Sequence, residues 1–471
     1  MDLPGLGLTT VAGLIKSGAV SSAEYAAALL DRIDARADLC AFITVDPDAL
    51  LASARRADAH FVTAPPGSLG PLHGVPIAVK DNIDTADLPT TGGTPALRDH
   101  RPAADAPAVR AAREAGALVL GKTSLHELAY GVTGENPAFG TARNPYAADR
   151  IAGGSSSGTA VAVSARLAPA GFGTDTGGSV RIPAALCGIA GLRPTAGRYD
   201  ARGTMMVSRT RDTVGPMART VADLALLDAA ATRAAEPHVD TDDLHGVRLG
   251  VIRGLFYDDL APDIDELMDK RLSELEAHGA RLVDVELPDG TDELITGTHP
   301  IAFRETPETL QAYLNTVPSA PSLAELIEQC GSPDVRHILT SISTDGRIPA
   351  VVYQKAMEVY RPALQAVFRD VFSAHRLTAL VGPTTPLTAV APGTETARLG
   401  ERAVPLLLAY TRNTSPGSAM GWPGLTLPAG LGDTGLPVGL SLDGMPGRDR
   451  ELLRVGGVCE RIFGFLPEPP G

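Results

Sequence analysis

From residue 9 to about residue 60 the apolar positions recur three and four apart, the period of helices that bury one face. Ser21-Ser22-Ala23-Glu24 has the order of a capping box, in which a serine oxygen takes an early helix N–H and Glu24 reaches back. Residues 41–45 read as a strand, 47–61 as a helix, and Pro65-Pro66-Gly67 as a turn. The short apolar run 75–79 predicts a strand with Lys80 at its end. A helix over 106–115 stops at Gly116, followed by a strand over 117–120 and a short helix over 124–130. Residues 135–146 contain two Asn-Pro steps and read as an ordered loop.

Small residues then carry a helix over 159–167, and 168–172 leads into a glycine-rich turn from which Ser179 opens a helix toward Leu186. A helix over 221–231 is followed by a polar stretch to about residue 243, read as a surface connection. The runs 247–252, 262–278 and 280–285 alternate strand, helix, strand, which favours a parallel or mixed sheet covered by helices. Residues 291–346 break that rhythm and read as a helical excursion, a candidate lid. A long helix over 350–372, strands over 377–381, 425–427 and 438–442, and a last helix over 449–463 complete the chain. No repeat divides it, so one α/β domain over 1–471 is expected.

Composition narrows the function. The 471 residues carry a formal net charge of −14, which argues against a nucleic-acid partner or a polybasic membrane surface. No apolar run approaches the ~20 residues of a membrane helix. The opening Met1-Asp2-Leu3-Pro4 lacks the regions of a signal peptide. Cys40, Cys187, Cys330 and Cys459 are scattered without metal-ligand spacing, so reduced thiols, no metal and a cytoplasmic location are expected.

Two motifs mislead. Gly116-Ala117-Leu118-Val119-Leu120-Gly121-Lys122-Thr123 matches a phosphate loop letter for letter. A true one has its strand before the first glycine, whereas here the intervening residues are the strand. Gly154-Ser155-Ser156-Ser157-Gly158 matches a nucleophile elbow centred on Ser156. No strand precedes it, and His238, His245, His278, His299, His337 and His375 downstream sit in no telling context.

A third pattern carries more chemistry. Ser179 follows Thr176-Gly177-Gly178, where glycines let successive N–H groups converge. A helix beginning there adds positive potential. The N–H groups of Thr176, Gly177, Gly178 and Ser179 are natural oxyanion donors. Lys80, if buried at its strand end, loses its proton more readily than the ordinary ammonium and can act as a base. Ser155 can pass a proton between Ser179 and Lys80. Each residue alone also has a plain structural reading: a capped glycine turn, a surface lysine paired with Asp81, a turn serine.

Three stretches together resemble the amidase signature family: Gly74 to Asp81, Gly153 to Gly158, and Gly173 through Ser179 to Ala184. The likeness covers about residues 70–230 and resumes at Trp422-Pro423-Gly424 and Gly435-Leu436-Pro437. It implies a single large α/β/α domain with a mixed, mostly parallel central sheet covered by helices. It implies Ser179 as nucleophile, Ser155 as bridging serine and Lys80 as general base. Ser156 would support the network of these groups, and Asp175 and Arg181 would hold the loop. The implied reaction is hydrolysis of a small-molecule carboxamide without cofactor or metal, by a monomer or homodimer.

Within the family, Arg209 to Ala218 and Arg347-Ile348-Pro349 to Tyr360-Arg361-Pro362 look like the aryl-acetamide branch of indoleacetamide and mandelamide hydrolases. By position the pocket walls would be Ala129, Tyr130, Gly131 and Val132, with Met205, Met206, Thr384 and Trp422. Most are apolar or small, which suits an aryl or apolar acyl group. The same chemistry admits esters, anilides and carbamates. The alternative is a glutamine-hydrolysing amidotransferase A-type subunit. For that reading Arg181 is the candidate carboxylate holder, but Ile182 stands where that branch has a polar side chain.

Overall fold

A computed structural model of the chain describes residues 1–234 and 243–470. The expected polar connection therefore lies largely outside the described residues, with His238. The strands in chain order are β1 (Phe42–Thr44), β2 (Pro76–Lys80), β3 (Leu118–Thr123), β4 (Ala170–Asp175), β5 (Ala190–Arg193), β6 (Thr213–Ala218) and β7 (Arg248–Val251). They continue as β8 (Arg281–Asp284), β9 (Ala379–Pro383), β10 (Thr396–Leu399), β11 (Arg402–Pro405), β12 (Gly424–Leu431) and β13 (Pro437–Asp443). Eleven of them form one sheet in the order β1-β3-β2-β4-β6-β5-β12-β13-β9-β7-β8, and β10 and β11 pair separately.

The sheet is mixed, as expected. β2 runs parallel to β3 and β4, and β7 runs parallel to β8 and β9. The other neighbours are antiparallel, and they centre on β5, β6, β12 and β13. β5 and β6 are strands that the apolar spacing did not single out.

Helices cover both faces, and the glycines show why they fit. A Cβ on Gly171 would strike Thr159 of the helix Ser157–Ser164, and one on Gly191 would strike Ala184 of the helix Arg181–Leu186. Both glycines face Met217 in the β6 register, so these two helices lie on the same side. Gly456 of the helix Asp449–Phe463 approaches Leu425, the partner of Leu192. Leu192 adjoins Gly191 in the strand and so points to the opposite side. The two helices that start at Ser157 and Arg181 thus hold the face that carries the serines.

Several expected boundaries shift. The proposed helix over 124–130 shrinks to one turn, Glu127–Ala129, in which Leu128 and Ala129 have φ of 51° and 59°. Its backbone donors are taken by neighbours: His126 N–H bonds the Ser155 carbonyl and Leu128 N–H bonds the Gly92 carbonyl. At Ser21 only half of the capping box forms, the serine oxygen accepting from Glu24 N–H at 3.0 Å. The reciprocal box occurs at Ser322 and Glu325. The expected long helix over 350–372 is interrupted by a π turn over Ala356–Tyr360 before the helix Arg361–His375. Pro362 lacks the N–H that a continuous ladder requires there. Residues 291–346 are helical, with helices Thr291–Gly297, Pro300–Leu314, Leu323–Glu328 and Pro333–Ser343. They build a separate apolar cluster around Leu310, Leu314, Leu326 and Leu339.

Candidate active site

Lys80 ends β2, a strand buried along its whole length. Its side chain is fully enclosed, and Nζ donates to Ser155 Oγ at 2.8 Å and to Thr174 Oγ1 at 2.8 Å. Burial pulls its pKa down to about 7, against the opposing pull of Asp212 and Asp175. The plain alternative, a surface lysine paired with Asp81, does not hold. Asp81 instead forms a buried ion pair with Lys122, 3.2 Å apart. That pair also accounts for the phosphate-loop look-alike: Gly121-Lys122-Thr123 is strand β3, and Lys122 Nζ further bonds Thr90 Oγ1 at 2.7 Å.

Ser156 reaches Ser179 through the backbone, its N–H donating to the Ser179 carbonyl at 3.1 Å. Ser156 Oγ takes the N–H of Thr174 and donates to the Thr174 carbonyl, both at 3.2 Å. It is fully buried, which fits the supporting role and not the nucleophile of an elbow. β4 extends through Asp175, so the first half of the glycine-rich segment is strand and the turn starts at Thr176.

Asp175 is the hub under that turn. Its carboxylate accepts from Gly178 N–H at 3.0 Å, Val180 N–H at 3.3 Å, Arg181 Nε at 3.1 Å and Arg193 Nη1 at 2.9 Å. Burial pushes the carboxyl up, but the Arg181 and Arg193 guanidiniums outweigh it and hold it well below the usual carboxylate range. The Gly178 N–H is thereby committed to Asp175. The N–H groups of Thr176, Gly177 and Ser179 have no such acceptor among the described residues. Gly178 has φ of 133°, and a Cβ there would lie 2.3 Å from Thr414 Oγ1, so only glycine fits. Arg193 was not anticipated; it also bonds the Asp175 carbonyl at 2.6 Å and the Arg211 carbonyl at 2.6 Å.

Ser179 opens into a cleft of about 140 Å³. Ala129, Tyr130, Gly131 and Val132 line it. Four expected wall residues lie elsewhere. Met205 is buried in the apolar cluster of the excursion, and Met206 lines a different cavity. Thr384 is buried against Thr426, their hydroxyls 3.1 Å apart. Trp422 packs edge-on against Phe368 and Phe372 in the main core. For Met205, Thr384 and Trp422 packing won over the cleft. In their place stand Val207, Arg211, His299, Phe303, Leu407 and Leu408, from segments whose approach only the tertiary fold defines. Arg181 is fully buried beneath Asp175 and does not line the cleft.

Residues 24–453 match the protein family described as Amidase. The chain is 39% identical to a mandelamide hydrolase of Pseudomonas putida, across 98% of this chain and 92% of that protein. It is 38% identical to an indoleacetamide hydrolase of Agrobacterium vitis, across 95% of each. The native peptide amidase of Stenotrophomonas maltophilia superposes with a TM-score of 0.84 at 31% identity, across 99% of this chain and 98% of that one.

Proposed function

This chain belongs to the amidase family and is an amide hydrolase, and we propose that it cleaves small aryl-acetamides or other apolar acyl amides through an acyl-Ser179 intermediate. The observation that carries this reading is the enclosed Lys80 Nζ, 2.8 Å from Ser155 Oγ, beneath a serine that opens to an apolar cleft. Neutral Lys80 receives the Ser179 proton through Ser155 as Ser179 attacks the carbonyl. The tetrahedral oxyanion is held by N–H groups of Thr176, Gly177 and Ser179, each worth roughly 3 kcal/mol by the usual measure of such donors. The proton returns through Ser155 to the leaving nitrogen, and water then releases the acid by the same relay. Residues 291–346 serve as the lid of the acyl site, since His299, Ala302 and Phe303 at their near end wall the cleft.

Esters, anilides and carbamates fit the same acylation chemistry. The glutamine-using amidotransferase reading fits less well. Arg181 is spent on Asp175, and among the described residues no Asp or Glu lines the cleft to receive an α-ammonium. We place the protein in the cytoplasm, on its scattered cysteines, and among its described residues no helix is long and apolar enough to cross a membrane. The test is a panel of phenylacetamide, an aliphatic amide, an anilide, a carbamate and glutamine, run on wild type and Ser179→Ala. Phenylacetamide turnover and fluorophosphonate labelling should both vanish in the variant. Turnover that survives the substitution would remove Ser179 from its role, and a preference for glutamine would favour the amidotransferase reading.

A further inference from the structure

Glu305 is a fully buried carboxylate that the hydrolysis itself does not use. It lies in the helix Pro300–Leu314, just past Ala302 and Phe303, which wall the Ser179 cleft. A carboxylate shut away from water persists only where other donors replace the water. Oε2 accepts from Ser208 Oγ at 2.5 Å and from Thr210 N–H at 3.0 Å. Oε1 accepts from Thr210 Oγ1 at 2.5 Å and from Tyr353 Oη at 2.7 Å. Arg209 Nε stands 3.6 Å from Oε1 and adds a positive charge.

All of these partners except Tyr353 belong to residues 208–210, a segment that is bracketed by cleft residues. Val207 precedes it and Arg211 follows it, and both line the cleft. The helix has two further grips on the same loop, since the Thr306 and Thr309 hydroxyls lie 3.0 and 3.2 Å from the Val207 carbonyl. Positions 302, 305, 306 and 309 share one face of a helix, so the groups that bond the loop sit beside one that faces the cleft. Arg211 in turn donates from Nε to the Thr176 carbonyl at 3.2 Å, where the oxyanion turn begins. A bonded path thus runs from the helix, through Glu305 and the loop, to the turn that carries Ser179.

Resting on the amidase reading of the same site, we propose that Glu305 is a positioning residue that determines acyl specificity. By bonding residues 208–210 to the helix Pro300–Leu314, it fixes the gap between Ala302 and Phe303 on one element and Val207 and Arg211 on the other. In a cleft of about 140 Å³ the fit of an aryl group depends on that gap. An acyl group as small as acetyl makes few of those contacts and is indifferent to it.

The test reads kcat and KM for phenylacetamide and for acetamide in wild type, Glu305→Ala, Glu305→Gln and Tyr353→Phe. Glu305→Ala leaves every donor around the carboxylate without its acceptor. The phenylacetamide-to-acetamide ratio of kcat/KM should fall by about tenfold or more, chiefly through the KM for phenylacetamide, as for a missing apolar contact in a pocket. Glu305→Gln should restore most of the ratio. Its amide oxygen takes the place of Oε2, and its NH2 donates to the Thr210 and Tyr353 hydroxyls, which accept as readily as they donate. Arg209 keeps Glu308 as its partner at 3.0 Å. Tyr353 does not line the cleft, and Tyr353→Phe removes one donor with little change of volume. There the ratio should fall by about twofold or more, the lower end for one hydrogen bond, so the test stands even if Glu305→Ala does not fold. A carboxylate that only holds the fold together would lower kcat/KM for both amides by one factor, the share of protein lost from the native state, and leave both KM values in place. That outcome, an unchanged ratio in Tyr353→Phe, or a Glu305→Gln ratio as low as that of Glu305→Ala would overturn the inference. Wild-type protein that turns over neither amide and takes no fluorophosphonate label would instead remove the Ser179 reading, and this inference with it.

Discussion

Lys80 Nζ sits between two hydroxyls, with no carboxylate in ion-pair contact among the described residues, and its pKa is drawn down to about 7 by burial. In the proposed role the base form is the unprotonated amine, so activity must grow as the proton leaves. kcat/KM for a neutral amide should therefore rise through a single ionisation near pH 7 and level off on the alkaline side. Lys80→Ala should lower the plateau by about 10²–10⁴-fold, the usual contribution of a positioned general base. A wild-type profile that declines from pH 6 to pH 9 would rule the amine out. Lys80, Ser155 and Ser179 were legible in the sequence because glycines and an apolar strand surround them in one continuous stretch each. Thr174 and Arg193 were not, because what they do depends on partners distant in the chain. Arg193 did leave a signal: like Lys80, it is a cation closing a short apolar run, Ile189-Ala190-Gly191-Leu192.

At the level of elements, the turn after β4 depends on a buried carboxylate shared by two arginines from different segments. Arg181 opens its helix and Arg193 ends β5, so Asp175 ties one helix, one strand and the turn together. Arg193→Met keeps the side-chain volume but removes half of the charge that balances Asp175, along with donors to four backbone carbonyls, those of Asp175, Arg211, Ser418 and Trp422. Breaking one partner of a buried ion network typically costs about 3–5 kcal/mol. Urea unfolding should show a loss of that size together with loss of activity. A loss below about 1 kcal/mol would show that Asp175 is satisfied by Arg181 and the backbone alone. β5 and β6 were hard to read because they are short and rich in glycine and proline. Pro216 lies within β6, where a central strand normally excludes it. It is tolerated because the pairing of β6 with β5 reaches only Met217 and Ala218, which leaves β6 unpaired on that side at Pro216. The strand-helix-strand unit of β7 and β8, by contrast, was plain from alternation alone.

For the whole molecule, the buried amine is a liability to stability, and its proposed role as the base is what would repay it. The Lys80 pKa is 10.5 in an unfolded reference and about 7 in the folded chain. Between those values the unfolded state binds more protons, so this group makes stability rise with pH from 7 to 10.5. Below pH 7 both states are protonated and the full penalty is present, about 5 kcal/mol at 1.36 kcal/mol per pKa unit. Above 10.5 the penalty is gone. Lys80→Met removes the titrating group from both states. It also leaves Ser155 Oγ without its donor, a cost of about 1–3 kcal/mol that does not vary over this range, while Thr174 Oγ1 keeps the Asn82 Nδ2 donor at 3.1 Å. The sign of the stability change at one pH is therefore not the test; its slope is. The unfolding free energy of the variant minus that of wild type should be most positive at pH 7 and fall by several kcal/mol toward pH 10. All other ionisations are shared by the two proteins, so they cancel in the difference. A difference that stays constant from pH 7 to pH 10 would mean that the folded protein keeps the amine charged across that range, and a charged amine cannot take the proton from Ser179.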